Sequence, residues 1–184
     1  MASTTGVRTS FVIRLIGAMA LDPPIYEEIE ADKTAGKQAM AVVLLSSLSA
    51  GLGARTYTNG SFQSVLFITA LALMAWIAWA VVTFQIGTRL MPEAQTRSDV
   101  GELLRTIGFS AAPGMLRVFG IVPGATIPAF AITAVWMLAA MIVAVRQSLD
   151  YTSTARAVAV CVVGWTLVLA MAVTLGLVFG PTLQ

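Results

Sequence analysis

The sequence contains no histidine, and only one cysteine, Cys161, among its 184 residues. Histidine is the commonest general base and the commonest metal ligand near neutral pH, so both roles lose their usual side chain. Haem-type groups lose their usual axial donor as well. One cysteine inside an apolar run excludes a disulfide framework. Charge is scarce too: Asp, Glu, Lys and Arg make up 11% of the chain, against about 25% in a soluble domain. The eleven basic residues are spread singly and the net charge is +2. That excludes a nucleic-acid surface, which needs basic residues clustered on one face.

What the chain has is apolar surface, with 58% hydrophobic residues and a mean hydropathy of +0.86. Five hydrophobic stretches, at about 36–54, 62–88, 103–122, 127–145 and 157–180, approach or exceed the roughly 20 residues that cross a bilayer as a helix. The expected fold is all-α: a polytopic integral membrane protein whose residues 36–184 form a bundle of five transmembrane helices. Residues 1–35 precede it as a cytoplasmic amphipathic and acidic segment.

Within that segment Phe11, Leu15 and Met19 recur every four residues, with Val12 and Ile16 beside them and Arg8 and Arg14 off the stripe. This pattern predicts a short helix lying in the membrane interface. A cleaved signal peptide is the rival, because Ala18-Met-Ala20 resembles a small-residue cleavage site. Arg14 splits its apolar region, however, and leaves too short a run behind it. Next, Asp22 is placed to cap a helix whose first position is Pro23. Ile25 and Ile29 fall on one side of that helix, with Glu27, Glu28, Glu30 and Asp32 largely on the others. Two readings of this stretch stay open: a solvated acidic face, or a docking face for a basic partner built from Tyr26, Glu27, Glu28, Glu30 and Asp32. The carboxylates lack the loop spacing of a divalent-metal site.

The first hydrophobic stretch is rich in small residues. Ser47 and Gly51, like Ser49 and Gly53, stand four apart, the spacing that lets helix backbones approach closely. Close packing is the expected role, with a serine-lined polar path as the alternative. Asn59-Gly60 marks a turn. The second stretch carries Trp76 and Trp79 near its centre, away from the interfaces that membrane tryptophans favour. They are expected between helices, or as an aromatic wall for a lipid or hydrophobic ligand. Thr96 and Asp99 have capping-box spacing, and Ser98 or Asp99 can also cap alone, so a helix should start near residue 99. Arg146 and Asp150 are four apart and pair if the helix continues that far. Gly176 and Gly180 give the last stretch a GxxxG spacing, a weak packing signal.

The third stretch decides the topology, since it carries Pro113 and Arg117. Seventeen residues separate Arg105 from Pro123, about 25 Å of α-helix and close to the lower limit for the hydrocarbon core. Pro113 is expected to kink this helix, and Arg117 to snorkel outward from about 9 Å below its end. Counting charge separates two topologies. With five spans, Arg8, Arg14, Lys33, Lys37, Arg89, Arg97, Arg105, Arg146 and Arg156 share one side, leaving Arg55 and Arg117 on the other. With a re-entrant third stretch the division is eight against three. Five spans satisfies the positive-inside rule better, with a cytoplasmic N-terminus and an external C-terminus.

Gly108-Phe109-Ser-Ala-Ala-Pro113 in this stretch resembles the Gly-Tyr-x-x-x-Pro element of the Yip1 domain. The acidic, tyrosine-bearing stretch at 22–32 and five closely spaced hydrophobic segments extend the likeness over nearly the whole chain. The resemblance implies a five-helix membrane domain of a bacterial Yip1-like protein in the inner membrane. Eukaryotic members bind small GTPases and one another and shape membranes. Phe109 replaces the family's tyrosine, and Asp22-Pro-Pro-Ile-Tyr26 only partly matches its Asp-Leu-Tyr-Gly-Pro element, so GTPase binding is not implied here.

These residues point away from catalysis: no nucleophile–base pair or metal cluster can be assembled from the acids and the lone thiol. The expected function is that of a non-enzymatic membrane scaffold or interaction subunit. Its expected partners are the lipid bilayer, copies of itself or other membrane proteins, with no cofactor, metal or nucleic acid. A transporter or channel component is the alternative, resting on Arg117 and the Pro113 break.

Overall fold

The computed structural model describes residues 9–54 and 62–179. Among them the chain forms seven α-helices and no strand. These are α1 (Phe11–Met19), α2 (Pro23–Ala31), α3 (Ala35–Gly53), α4 (Phe62–Gln85), α5 (Val100–Ser110), α6 (Thr126–Ser148) and α7 (Thr154–Phe179). A π turn, Ile86–Leu90, continues α4, and a 3-10 helix, Ala112–Ile121, follows α5. Two helices, α3 and α6, are both long and apolar enough to cross a membrane. The apolar run of α7 within the described residues, Thr154–Leu167, is shorter. The Asn59-Gly60 turn and Gly180 lie outside the described residues.

Helix α5 starts where the capping signals gather. Asp99 accepts from the Glu102 N–H and Glu102 accepts from the Asp99 N–H, each at 2.9 Å. This is a capping box one register later than the Thr96–Asp99 spacing. The helix then stops at Ser110. Instead of one kinked helix, the third stretch is an α-helix that gives way to a 3-10 helix. Pro113 disfavours the α conformation in the residue before it and has no N–H to continue the ladder. The Gly114 N–H bonds the Ala111 carbonyl at 2.9 Å, the i to i+3 pattern of the tighter helix.

That switch sets the packing. A 3-10 helix has three residues per turn, so Gly114 and Gly120, six apart, face the same way. An α-helix returns to one face every seven residues, as Ala39, Ser46 and Gly53 do on α3. The two rows meet in order: Gly108 lies on Ala39, Gly114 on Ser46, and Gly120 on Gly53. A Cβ on Gly108 would stand 2.7 Å from that of Ala39, and one on Gly53 would run into the Arg117 carbonyl. The third stretch therefore runs parallel to α3 along most of its length. Of the expected Ser47/Gly51 and Ser49/Gly53 pairs, Gly53 stands on this contact line. Ser47 is buried and bonds the Val43 carbonyl at 2.8 Å, while Ser49 and Gly51 are partly exposed.

The π turn after α4 frees backbone carbonyls, and the buried Tyr151 hydroxyl lies 2.9 Å from Gly87 O and 2.8 Å from Met91 O. One core groups Ala80, Ile86, Leu103, Ile107, Val145, Leu149 and Val160 from α4 to α7. A second groups Ala18, Tyr26, Ile29, Ala39, Val42, Phe109 and Ala144. Trp76 and Trp79 pack partly buried against these cores, and Trp79 meets Trp165 edge-on at 6.0 Å.

Candidate functional site

Helices α1 and α2 form a hairpin that docks on α5 and α6. Ser10 caps α1, accepting from the Ile13 N–H at 3.4 Å. At the hairpin's tip Leu21 takes a left-handed φ of 62°, and the Met19 carbonyl accepts from the Trp136 indole N–H at 2.7 Å. Trp136 lies twelve residues before the end of α6 at Ser148, about 18 Å along a helix. The tip thus reaches roughly halfway along α6.

The hairpin turns the expected interfacial helix around. Phe11, Leu15 and Met19 do pack inward, but Arg14 goes with them and is 2% exposed. Val12, Ile13 and Ile16 are left bare. Within van der Waals reach of an apolar core, a guanidinium is tolerated only when paired and hydrogen-bonded. Arg14 meets both conditions. Nη2 lies 2.8 Å from Glu28 and 2.8 Å from Asp32, and Nη1 donates to Gln38 Oε1 at 3.1 Å. Thr9 also hydrogen-bonds Glu28.

The expected docking face therefore faces largely inward. Tyr26 is fully buried, its hydroxyl donating to Ala18 O at 3.2 Å. Glu28 and Asp32 hold Arg14. Glu27 is exposed and accepts from the Gln147 amide at 2.8 Å. The Glu30 carbonyl accepts from the buried Arg105 Nε at 3.0 Å. Among the described residues, no group of three or more carboxylates or thiols is placed to hold a metal.

The electrostatics of these acids run in two directions. Although partly buried, Glu28 is held below the usual carboxylate range by hydrogen bonds from Thr9 and Arg14. Asp32 is held well below it by Thr34 and Arg14. Burial pushes Glu30 the other way, to about 7, helped by the Glu102 and Asp150 carboxylates and opposed by Arg105. Glu30 opens onto a polar cleft of about 500 Å³ shared with Glu27, Gln95, Arg146, Gln147 and Asp150. Arg146 turns to the Tyr151 carbonyl, at 3.3 Å, rather than to Asp150. Nearby, Glu93 ties two loops together, accepting from the Thr152 hydroxyl at 2.8 Å and pairing with Arg156 at 3.4 Å.

The motif residues lie elsewhere. Gly108, Phe109 and Pro113 are buried, and the Phe109 ring stands 6.2 Å from that of Phe11. The element Gly108–Pro113 thus joins α3, α1 and the start of the 3-10 helix. Arg117, whose carbonyl lies against Gly53 at the end of α3, is only partly buried. Its Nε donates to Thr133 Oγ1 at 3.2 Å, and its guanidinium lies 5.2 Å from the Phe130 ring centroid. Gly176 falls near the end of α7. An apolar groove of about 500 Å³ runs between α6 and α7, lined by Val135, Leu138, Cys161, Val162 and Trp165 among others.

Sequence reasoning missed Trp136 and Gln38, which anchor the hairpin's tip and its arginine. It also missed the six-residue glycine spacing 108–114–120, which was legible had a 3-10 period been tried.

Compared with models of known protein families, with curated proteins and with solved structures, the chain finds no match. The fold itself defines a class: among the described residues, an all-helical protein with two helices long and apolar enough to cross a membrane.

Proposed function

We propose that the protein is a non-catalytic, five-span membrane scaffold of the Yip1-like type, with a cytoplasmic N-terminus and an external C-terminus in a bacterial inner membrane. The carrying observation is the parallel course of the third stretch along α3. A re-entrant loop would turn back, whereas this one passes Ala39, Ser46 and Gly53 in order. The 3-10 turn also lengthens it. From Arg105 to Ile121, α and 3-10 rises of 1.5 and 2.0 Å add to about 30 Å, the thickness of the hydrocarbon core.

Burial supports the same reading. Only 17% of the most apolar window of α6 is buried, and Ile127, Ile132 and Val135 are each more than 60% exposed. Water would penalise such a face at roughly 25 cal/mol per Å²; lipid tails do not. The acids agree as well: eight of the nine, Glu27, Glu28, Glu30, Asp32, Glu93, Asp99, Glu102 and Asp150, lie in α2, at its C-cap or beside the polar loops at 91–102 and 149–153, and the ninth, Asp22, sits at the hairpin's tip. With no histidine and a thiol buried between helices, what remains is packing.

The scaffold reading predicts that the chain, extracted in mild detergent, co-purifies with copies of itself or with another membrane protein. A monodisperse, partner-free monomer would contradict it. Transport is the second reading, favoured by one observation, the α to 3-10 break beside Arg117. Flux into reconstituted vesicles that is lost in Arg117→Ala would replace the scaffold with a carrier.

A further inference from the structure

We infer that Arg117 is the receptor for the phosphate of an anionic lipid in the outer leaflet, an inference that rests on the five-span reading. Arg117 Nε is occupied by Thr133, whose own hydroxyl bonds the Ala129 carbonyl at 2.8 Å. The ring of Phe130 supports one face of the guanidinium. The fork is thus held from two sides, while Nη1 and Nη2 have no hydrogen-bond partner and no carboxylate among the described residues. Arg14 and Arg105, both buried, have acceptors for their Nη atoms.

A partly buried guanidinium with free terminal donors in apolar surroundings calls for an anion, and a planar fork suits the paired oxygens of a phosphate. Depth selects the source. Arg117 stands four residues before the end of the 3-10 helix, about 8 Å by its rise. Thr133 stands seven residues into α6, about 10 Å. From that depth a guanidinium is within snorkelling reach of the headgroup boundary, where lipid phosphates are concentrated and aqueous phosphate is not. Among the described residues no carboxylate pairs with Arg117, so the site offers a cation and no anion beside it to hold a choline or ethanolamine group. A headgroup with net negative charge is therefore preferred over a zwitterionic one.

The test is native mass spectrometry of the full chain in detergent, offered phosphatidylglycerol, phosphatidylcholine or inorganic phosphate. The expected result is at least tenfold greater retention of phosphatidylglycerol than of phosphatidylcholine. Arg117→Gln, which keeps a donor for Thr133, should abolish that preference. Arg117→Lys should keep part of it, and Arg89→Ala, at an exposed arginine, should leave it unchanged. No preference in the parent chain, or an equal preference in a folded Arg117→Gln, would overturn the inference. So would inorganic phosphate displacing the lipid at millimolar concentration. Failure of the five-span reading is seen separately, as a Pro123→Cys chain that an impermeant maleimide does not label in intact cells.

Discussion

At the scale of single residues, backbone approach decides where the chain tolerates change. Gly53 and Gly120 lie back to back, with the Arg117 carbonyl beside them. Backbone cannot rotate aside as a side chain can, so a methyl group there forces the two segments apart. Gly53→Ala and Gly120→Ala should each destabilise by about 1–3 kcal/mol, the usual cost of overpacking. Gly36 is the control, because a Cβ there meets nothing within 4 Å. Gly36→Ala should be neutral or stabilising by up to about 1 kcal/mol. Thermal unfolding in detergent separates the two outcomes; equal effects at all three positions would contradict the packing described. The sequence shows that residues 36–54 are rich in small side chains but not which of them touch. Four-residue spacing belongs to contacts between two α-helices, and the partner here is partly a 3-10 helix. Arg14 misleads for a related reason. Periodicity places it off the apolar stripe, but a stripe says nothing about a pair of partly exposed carboxylates fourteen and eighteen residues away.

At the scale of elements, the α1–α2 hairpin is the piece whose position depends on ionisation. Glu30 binds its proton more tightly docked than free, its carboxyl raised from 4.5 to about 7. That preference is complete below about pH 4.5 and is lost as pH rises through about 7. Glu28 and Asp32 act with the opposite sign. Held below their ordinary values, they favour docking above about pH 4 and lose that contribution as pH falls. Docking should therefore be strongest near pH 5 to 6. Hydrogen-exchange protection of residues 11–31, corrected for intrinsic rates, should fall toward pH 8, and Glu30→Gln should remove that fall. A profile that is flat in the parent chain would contradict this balance. Trp136→Phe removes the anchor at the tip, a loss of about 1 kcal/mol, and should lower protection most around Met19 to Asp22. The two short helices are legible from Pro23 and the four-residue stripe, while Asp22 holds the cap position of α2 without a side-chain cap bond. Their docking is not, because Trp136 lies over a hundred residues away and no local pattern announces a bond to a carbonyl.

At the scale of the whole molecule, one relation organises the rest: the third hydrophobic stretch travels the length of α3 instead of returning. Helix content and the boundaries of the hydrophobic stretches are readable because apolar runs of this length leave few alternatives. The α to 3-10 switch at Pro113 is legible only as a kink, since a proline signals a break without specifying the conformation beyond it. The switch keeps Gly114 and Gly120 on one face and supplies the extra length that the proposed crossing requires. The most direct test uses a Cys161→Ser background with single cysteines at Gln95 and Pro123, labelled in intact cells by a membrane-impermeant maleimide. A full crossing predicts that Pro123→Cys is labelled from outside, while Gln95→Cys is labelled only after permeabilisation. If Pro123→Cys is protected in intact cells and reacts alongside Gln95→Cys on permeabilisation, the third stretch is re-entrant and the account fails.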